Sequence, residues 1–114
     1  MSSLSGIEIE ETETFTRASK KLRKRFKNID DDCDNFIQNI KVLDDLGIHL
    51  GNSVYKVRIA NSDKKSGKSS GYRMISYLKL IDSKLYLLYI YDKSDLETVS
   101  EKEVDNLIKK TIIS

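Results

Sequence analysis

Two different spacings of apolar residues divide this chain, and the place where one gives way to the other constrains the fold more than any other feature. Phe15, Ala18, Leu22, Phe26 and Ile29 recur at helical spacing, and so do Cys33, Phe36, Ile37, Ile40 and Leu43. Such spacing gathers each set on one side of a helix. After Asn52 the pattern alternates: Tyr55, Val57 and Ile59 are interleaved with Lys56 and Arg58. Tyr72 to Leu80 reads as a further strand and Leu85 to Tyr91 as another, with a turn near Asp82-Ser83. Helical spacing returns with Val104, Leu107, Ile108 and Ile112, and a short alternating strand, Ile7-Glu8-Ile9-Glu10, precedes everything. The order β-α-α-β-β-β-α predicts an α+β fold. Its N-terminal strand and helical hairpin pack on a mainly antiparallel four-stranded sheet, with the helices segregated to one side and a C-terminal helix at the end.

Local signals fit these segments. Thr12 or Thr14 supplies a hydroxyl cap for the first helix. The Asn28–Asp32 turn places Asp31 or Asp32 at the positive end of the second helix. Gly47 stops that helix, and so short a turn between the two predicts an antiparallel hairpin over residues 14–46. Cys33 lies on the apolar stripe and reads as a small core residue, while His49 reads as a loop residue in the Gly47–Gly51 connection. Asn61 to Gly71 is a polar loop rich in Gly, Ser and Lys. Leu85–Tyr91 is almost wholly apolar, as expected of a strand covered on both faces. Ser100 and Glu103 have the spacing of a capping box. At 114 residues the chain is expected to be one domain, 1–114. Its parts are a strand over 7–13, the hairpin, a sheet over 53–93 and a closing helix over 100–112.

Several functions are excluded early. One cysteine and one histidine leave no material for a disulfide framework, a cysteine-built zinc site or a His-rich metal centre, and no cofactor is expected. The apolar run Tyr86–Tyr91, even with Leu85 before it, is too short to span a bilayer, and the acidic N-terminal region has the wrong chemistry for a signal peptide. A soluble cytoplasmic protein is expected. Gly67-Lys68-Ser69-Ser70-Gly71 superficially resembles a phosphate loop, but it lacks the preceding glycine and leads into a strand.

The net charge of +2 conceals strong segregation. Residues 1–13 hold four Glu and no base, whereas 14–28 hold Arg17, Lys20, Lys21, Arg23, Lys24, Arg25 and Lys27 with no acid. Residues 29–52 carry six Asp against Lys41, and 53–93 carry nine bases against Asp63, Asp82 and Asp92. The basic helix reads first as a solvated face, with phosphate binding as the sharper alternative. On the strands, Lys56 shares a face with Arg58, and Arg73 shares one with Ile75, Tyr77 and Lys79. If adjacent strands turn these faces the same way, Lys56, Arg58, Arg73 and Lys93 converge in a groove opposite the helices, near Tyr72, Tyr77, Tyr89 and Tyr91. Cations interleaved with aromatic rings suit unpaired RNA. The same composition equally suits the solvent face of an ordinary antiparallel sheet.

Ile7-x-Ile9, Phe15, Lys20-Lys21-Leu22, Tyr55-Lys56-Val57-Arg58-Ile59 and Gly71-Tyr72-Arg73-Met74-Ile75-Ser76-Tyr77 resemble the RelE/ParE superfamily of bacterial toxins. Gly67–Arg73 together with Tyr86–Asp95 is most similar to its RelE/HigB branch. The resemblance covers about residues 7–110. It implies a toxin of a type II toxin–antitoxin pair, an endoribonuclease that enters the ribosomal A site and cleaves mRNA. The RNA's 2′-hydroxyl attacks and leaves a 2′,3′-cyclic phosphate. Lys56, Arg58 and Arg73 then correspond to the bases that handle the scissile phosphate, and Lys68, Tyr72, Tyr77, Lys79 and Tyr91 fall among the RNA contacts. The basic helix becomes the ribosome-facing surface, and the implied partners are an antitoxin, the ribosome and mRNA, with no membrane.

The chemistry requires a base, charge stabilisation and an acid for the departing 5′ oxygen. Where some members of the family use a C-terminal tyrosine, this chain reads Glu97-Thr98-Val99-Ser100, which leaves Lys93 or Tyr91 for the role. Two alternatives share the fold: a ParE-like inhibitor of DNA gyrase, and a catalytically inactive RNA- or ribosome-binding module.

Overall fold

Thr12 ties the first strand, the first helix and the centre of the sheet together. Its hydroxyl donates to the Leu87 carbonyl at 2.9 Å and accepts from the Phe15 N–H at 3.2 Å. It thereby caps α1 (Glu13–Arg23) directly above the strand on which that helix packs. The structure, a computed structural model, describes residue 4 and residues 6–64, 70–95 and 100–113. In chain order the elements are β1 (Glu8–Glu11), α1, α2 (Ile29–Gln38), β2 (Ile48–Gly51), β3 (Val54–Ile59), β4 (Tyr72–Lys79), β5 (Lys84–Asp92) and α3 (Glu101–Ile113). The strands form one five-stranded mixed sheet in the order β1-β5-β4-β3-β2, parallel between β1 and β5 and antiparallel elsewhere.

The two helices of the hairpin are shorter than their apolar stripes. Past Arg23 the chain tightens into a turn, with the Arg25 and Phe26 N–H groups both donating to the Leu22 carbonyl. Phe26 is therefore buried from a turn, against Tyr72 edge-on at 5.9 Å. α2 ends at Gln38 rather than at Gly47; Ile40 packs on the core from irregular backbone and Leu43 from the start of a 3-10 turn. That turn is Leu43–Leu46, and the Asp45 carboxylate accepts from the N–H groups of Lys41 and Val42 at its start.

The region expected to be a connection is a strand. Gly47 has φ +92°, and a Cβ there would lie 2.2 Å from the Lys56 carbonyl oxygen, so only glycine lets the chain pass this close to β3. β2 then pairs with β3 through a turn at Asn52 and Ser53, both with positive φ, as two-residue hairpins prefer. His49 is consequently a strand residue, its ring 4.9 Å from that of Tyr55.

The sheet is covered on both faces. On one, α1 and α2 bury Phe15, Leu22, Ile29 and Cys33 against Tyr55, Ile59, Met74, Leu78, Leu85, Leu87 and Ile90. On the other, α3 sets Val104, Leu107 and Ile108 against Val54, Ile75 and Leu88, with Tyr77, Tyr86 and Tyr89 around them. Two corrections to the sequence reading follow: the sheet has five strands, and the helices are not segregated to one side. Val54, Ile75 and Leu88 form an apolar patch that α3 removes from water, which is why the closing helix crosses to the second face. The double coverage expected for the Leu85–Tyr91 segment is present. Among the described residues no helix is long and apolar enough to cross a membrane.

Candidate nucleic-acid interface

A β-bulge decides which side chains meet on the second face. Between β4 and β5 the register runs Ile75 opposite Tyr89 but Ser76 opposite Leu87, leaving Leu88 as the extra residue. Leu85 and Leu87 point to the hairpin. Beyond the bulge the alternation reverses, so Ile90 points to the hairpin while Tyr89 and Tyr91 turn to the other face. Arg58 of β3 lies directly opposite Arg73 of β4, and Arg73 directly opposite Tyr91 of β5. The neighbouring row is Lys56, Ile75 and Tyr89. The sheet thus lays two guanidiniums and a phenol side by side, with an ammonium one row away.

Like charges directly opposite each other on neighbouring strands oppose folding, and Arg58 and Arg73 are such a pair. Arg58 is exposed, whereas Arg73 is only 6% exposed. Burial first, and the Arg58 guanidinium second, lower the Arg73 pKa; Tyr91 and Asp92 act in the opposite sense. One Arg73 nitrogen donates to the Tyr72 carbonyl at 3.2 Å. Tyr91 is 4% exposed, and burial pushes its phenol pKa up against the lowering effect of Arg73. Among the described residues its buried hydroxyl has no hydrogen-bond partner.

Asp92, the next residue, faces the hairpin and is fully buried. Burial alone would raise its pKa, but the Lys64 ammonium at 2.7 Å and the Ser94 hydroxyl and N–H hold it below the usual carboxylate range. The pair anchors the start of the β3–β4 loop to the end of β5, beside the arginine row. The same stretch is fastened to α2: Asp63 accepts from the backbone and side chain of Asn28 at 3.0 Å, and Asp32 accepts from the Ser62 N–H and hydroxyl.

The remaining expected site residues are scattered. Lys93 follows the last strand pair and is exposed, its N–H donating to the Gly71 carbonyl. Tyr72, expected among the RNA contacts, is fully buried on the hairpin face, because strand alternation turns it away from Arg73. Tyr77 stacks on Tyr86 with centroids 6.1 Å apart under α3, and Lys79 is paired with Asp82 at 2.9 Å. Lys68 lies outside the described residues, as do Glu97, Thr98 and Val99. On the basic helix and the turn after it, Arg17 pairs with Glu13, Arg23 with Asp30 and Arg25 with Asp95. Lys20, Lys21, Lys24 and Lys27 are exposed and carry no ion pair among the described residues.

Sequence reasoning missed β2, although Ile48-x-Leu50 before Asn52-Ser53 is alternation followed by turn residues. It also missed the bulge, for which a continuous apolar run gives no signal.

Comparison with known proteins adds the following. The family model described as "RelE toxin of RelE / RelB toxin-antitoxin system" matches residues 7–112. No curated protein matches the chain in sequence. Among solved structures, an arginine-to-alanine double mutant of the E. coli toxin RelE in the free state aligns with a TM-score of 0.49 and 13% identity, covering 91% of this chain and 96% of that one.

Proposed function

The chain belongs to the RelE toxin family of toxin–antitoxin systems, and from that premise we propose that it is a ribosome-dependent endoribonuclease that cleaves mRNA in the A site. The observation that carries this reading is the Arg58–Arg73 pair. Two cations held opposite each other on adjacent strands, one of them buried, cost folding energy that an anion between them recovers. A phosphodiester is the anion that fits: each guanidinium can donate two parallel hydrogen bonds to nonbridging oxygens. As the 2′-oxygen attacks phosphorus, negative charge grows on those oxygens, where fixed donors are most effective. Lys56, one row away, serves as base toward the 2′-hydroxyl or as a further stabilising charge.

Outside the phosphate site, the exposed Lys20, Lys21, Lys24 and Lys27 suit ribosomal RNA backbone, and Lys68 and Lys93 suit the flanking message. We read residues 1–114 as one domain acting in the cytoplasm, with no metal or cofactor and with a cognate antitoxin that blocks the cationic face or ribosome entry.

Adding the protein to a translating extract and mapping RNA ends tests the reading. Cuts inside A-site codons, abolished by Arg73→Ala, are the expected result. Intact mRNA with loss of DNA supercoiling would instead favour the gyrase-inhibitor alternative, and ribosome binding without cuts the inactive module.

A further inference from the structure

We propose that Tyr91 is the proton donor to the departing 5′ oxygen, an assignment that rests on the nuclease reading above. Among the described residues, four buried side-chain polar atoms lack a hydrogen-bond partner: on Asn61, Tyr72, Tyr91 and Asp92. Tyr72 and Asp92 face the hairpin, whereas the Tyr91 hydroxyl lies on the second face in the row of Arg58 and Arg73. A buried hydroxyl without a partner is costly and uncommon in a folded protein, and it calls for a functional explanation.

Its neighbours supply one. Arginine side chains only donate hydrogen bonds, so the row holds several donors and offers the phenol no side-chain acceptor. An RNA phosphodiester would complete it, with nonbridging oxygens on the guanidiniums and the bridging 5′ oxygen on the Tyr91 hydroxyl. The step balances. The 2′-hydroxyl gives its proton to the base, its oxygen forms the new bond to phosphorus, and the P–O5′ bond breaks. The leaving oxygen takes the phenolic proton, and the phenolate recovers a proton from water once product leaves. An alkoxide is far more basic than a phenolate, so the transfer runs downhill.

Burial keeps the phenol protonated until it is needed. RNA must displace whatever side chains cover it, after which the bond forms away from bulk water. Lys93, the other residue available for this role, stands in solvent beyond the last strand pair. The bulge at Leu88 is what turns Tyr91 toward Arg73 at all.

The test compares ribosome-bound messages carrying either the ordinary 5′ oxygen or a bridging 5′ sulfur at the cleaved linkage, since a thiolate leaves without a proton. Tyr91→Phe should cleave the oxygen substrate ~100-fold or more slowly, the usual range for removing a general acid, and the sulfur substrate at the wild-type rate. Unchanged cleavage of the oxygen substrate by Tyr91→Phe overturns the assignment, as does equal slowing on both by a variant that melts like wild type. Should Tyr91→Phe melt lower, 3-fluorotyrosine at position 91 preserves shape while making the phenol more acidic. It should move the basic limb of the pH–rate profile down on the oxygen substrate alone, and an unmoved limb overturns the assignment. Wild-type protein that cleaves neither message refutes the nuclease reading itself.

Discussion

Neutralising Arg58 should stabilise the folded protein while removing its proposed activity. Arg58 and Arg73 occupy directly opposed positions on β3 and β4, where side chains leave the sheet about 5 Å apart. Two unit charges about 6 Å apart repel by ~0.7 kcal/mol at the dielectric of water and ~2.8 kcal/mol at an effective value of 20. Arg58 is exposed, so the lower figure applies, and Arg58→Gln should gain about 0.7 kcal/mol, or roughly 3 °C in Tm for a chain this long. Arg58→Lys keeps the charge and should gain nothing. The screening length falls from about 8 Å at physiological ionic strength to about 3 Å at 1 M salt, so the difference between the variants should largely vanish there. Urea unfolding at low and high salt measures this, with cleavage followed in the translating extract. If Arg58→Gln is no more stable than Arg58→Lys at low salt, or if its advantage persists at 1 M, like-charge opposition is not what this pair costs the fold.

Three further outcomes follow from the packing. Gly47→Ala forces a side chain to φ +92° with its Cβ 2.2 Å from the Lys56 carbonyl oxygen, and should cost about 3 kcal/mol in chemical unfolding by straining and displacing the β2 edge. Asp92 has a lowered folded-state pKa, so it contributes stability that is complete above the ordinary Asp value of about 3.9 and is lost as pH falls through the lower folded value. Asp92→Asn should flatten that acid limb in pH-dependent melts, and Lys64→Met, which leaves the carboxylate buried and unpaired, should cost ~3 kcal/mol at neutral pH. The Cys33 thiol is buried and pushed up to about 12, so iodoacetamide at pH 8 should modify it only after denaturant is added.

How much of this was legible before the structure depends on the kind of signal. The stripe Phe15, Leu22, Phe26 and Ile29 correctly marked what the hairpin buries, because burial follows apolar spacing. The helix ends did not follow from it: Phe26 and Ile40 keep the spacing from non-helical backbone, since a side chain can reach the core from a turn. The caps at Thr12 and Ser100 were readable, each accepting from the backbone N–H three residues on, because capping is local chemistry. The alternation of Lys56 and Arg58 with Tyr55, Val57 and Ile59, and the position of Arg73, placed those bases on strands. Whether the strands turn those faces together depends on register, which pairing across the sheet sets.

The two periods of apolar residues were enough to require an α+β fold, and the segregated charge was enough to mark a basic helix and a basic sheet. Which residues meet on the second face was a tertiary outcome. Leu85 to Tyr91 is apolar on both sides and so carries no alternation from which a face could be assigned. One extra residue at Leu88 reverses every side chain beyond it, setting Tyr91 beside Arg73 and Arg58. α3 crosses to that same face because Val54, Ile75 and Leu88, separated in sequence, become one apolar patch only when the strands are paired.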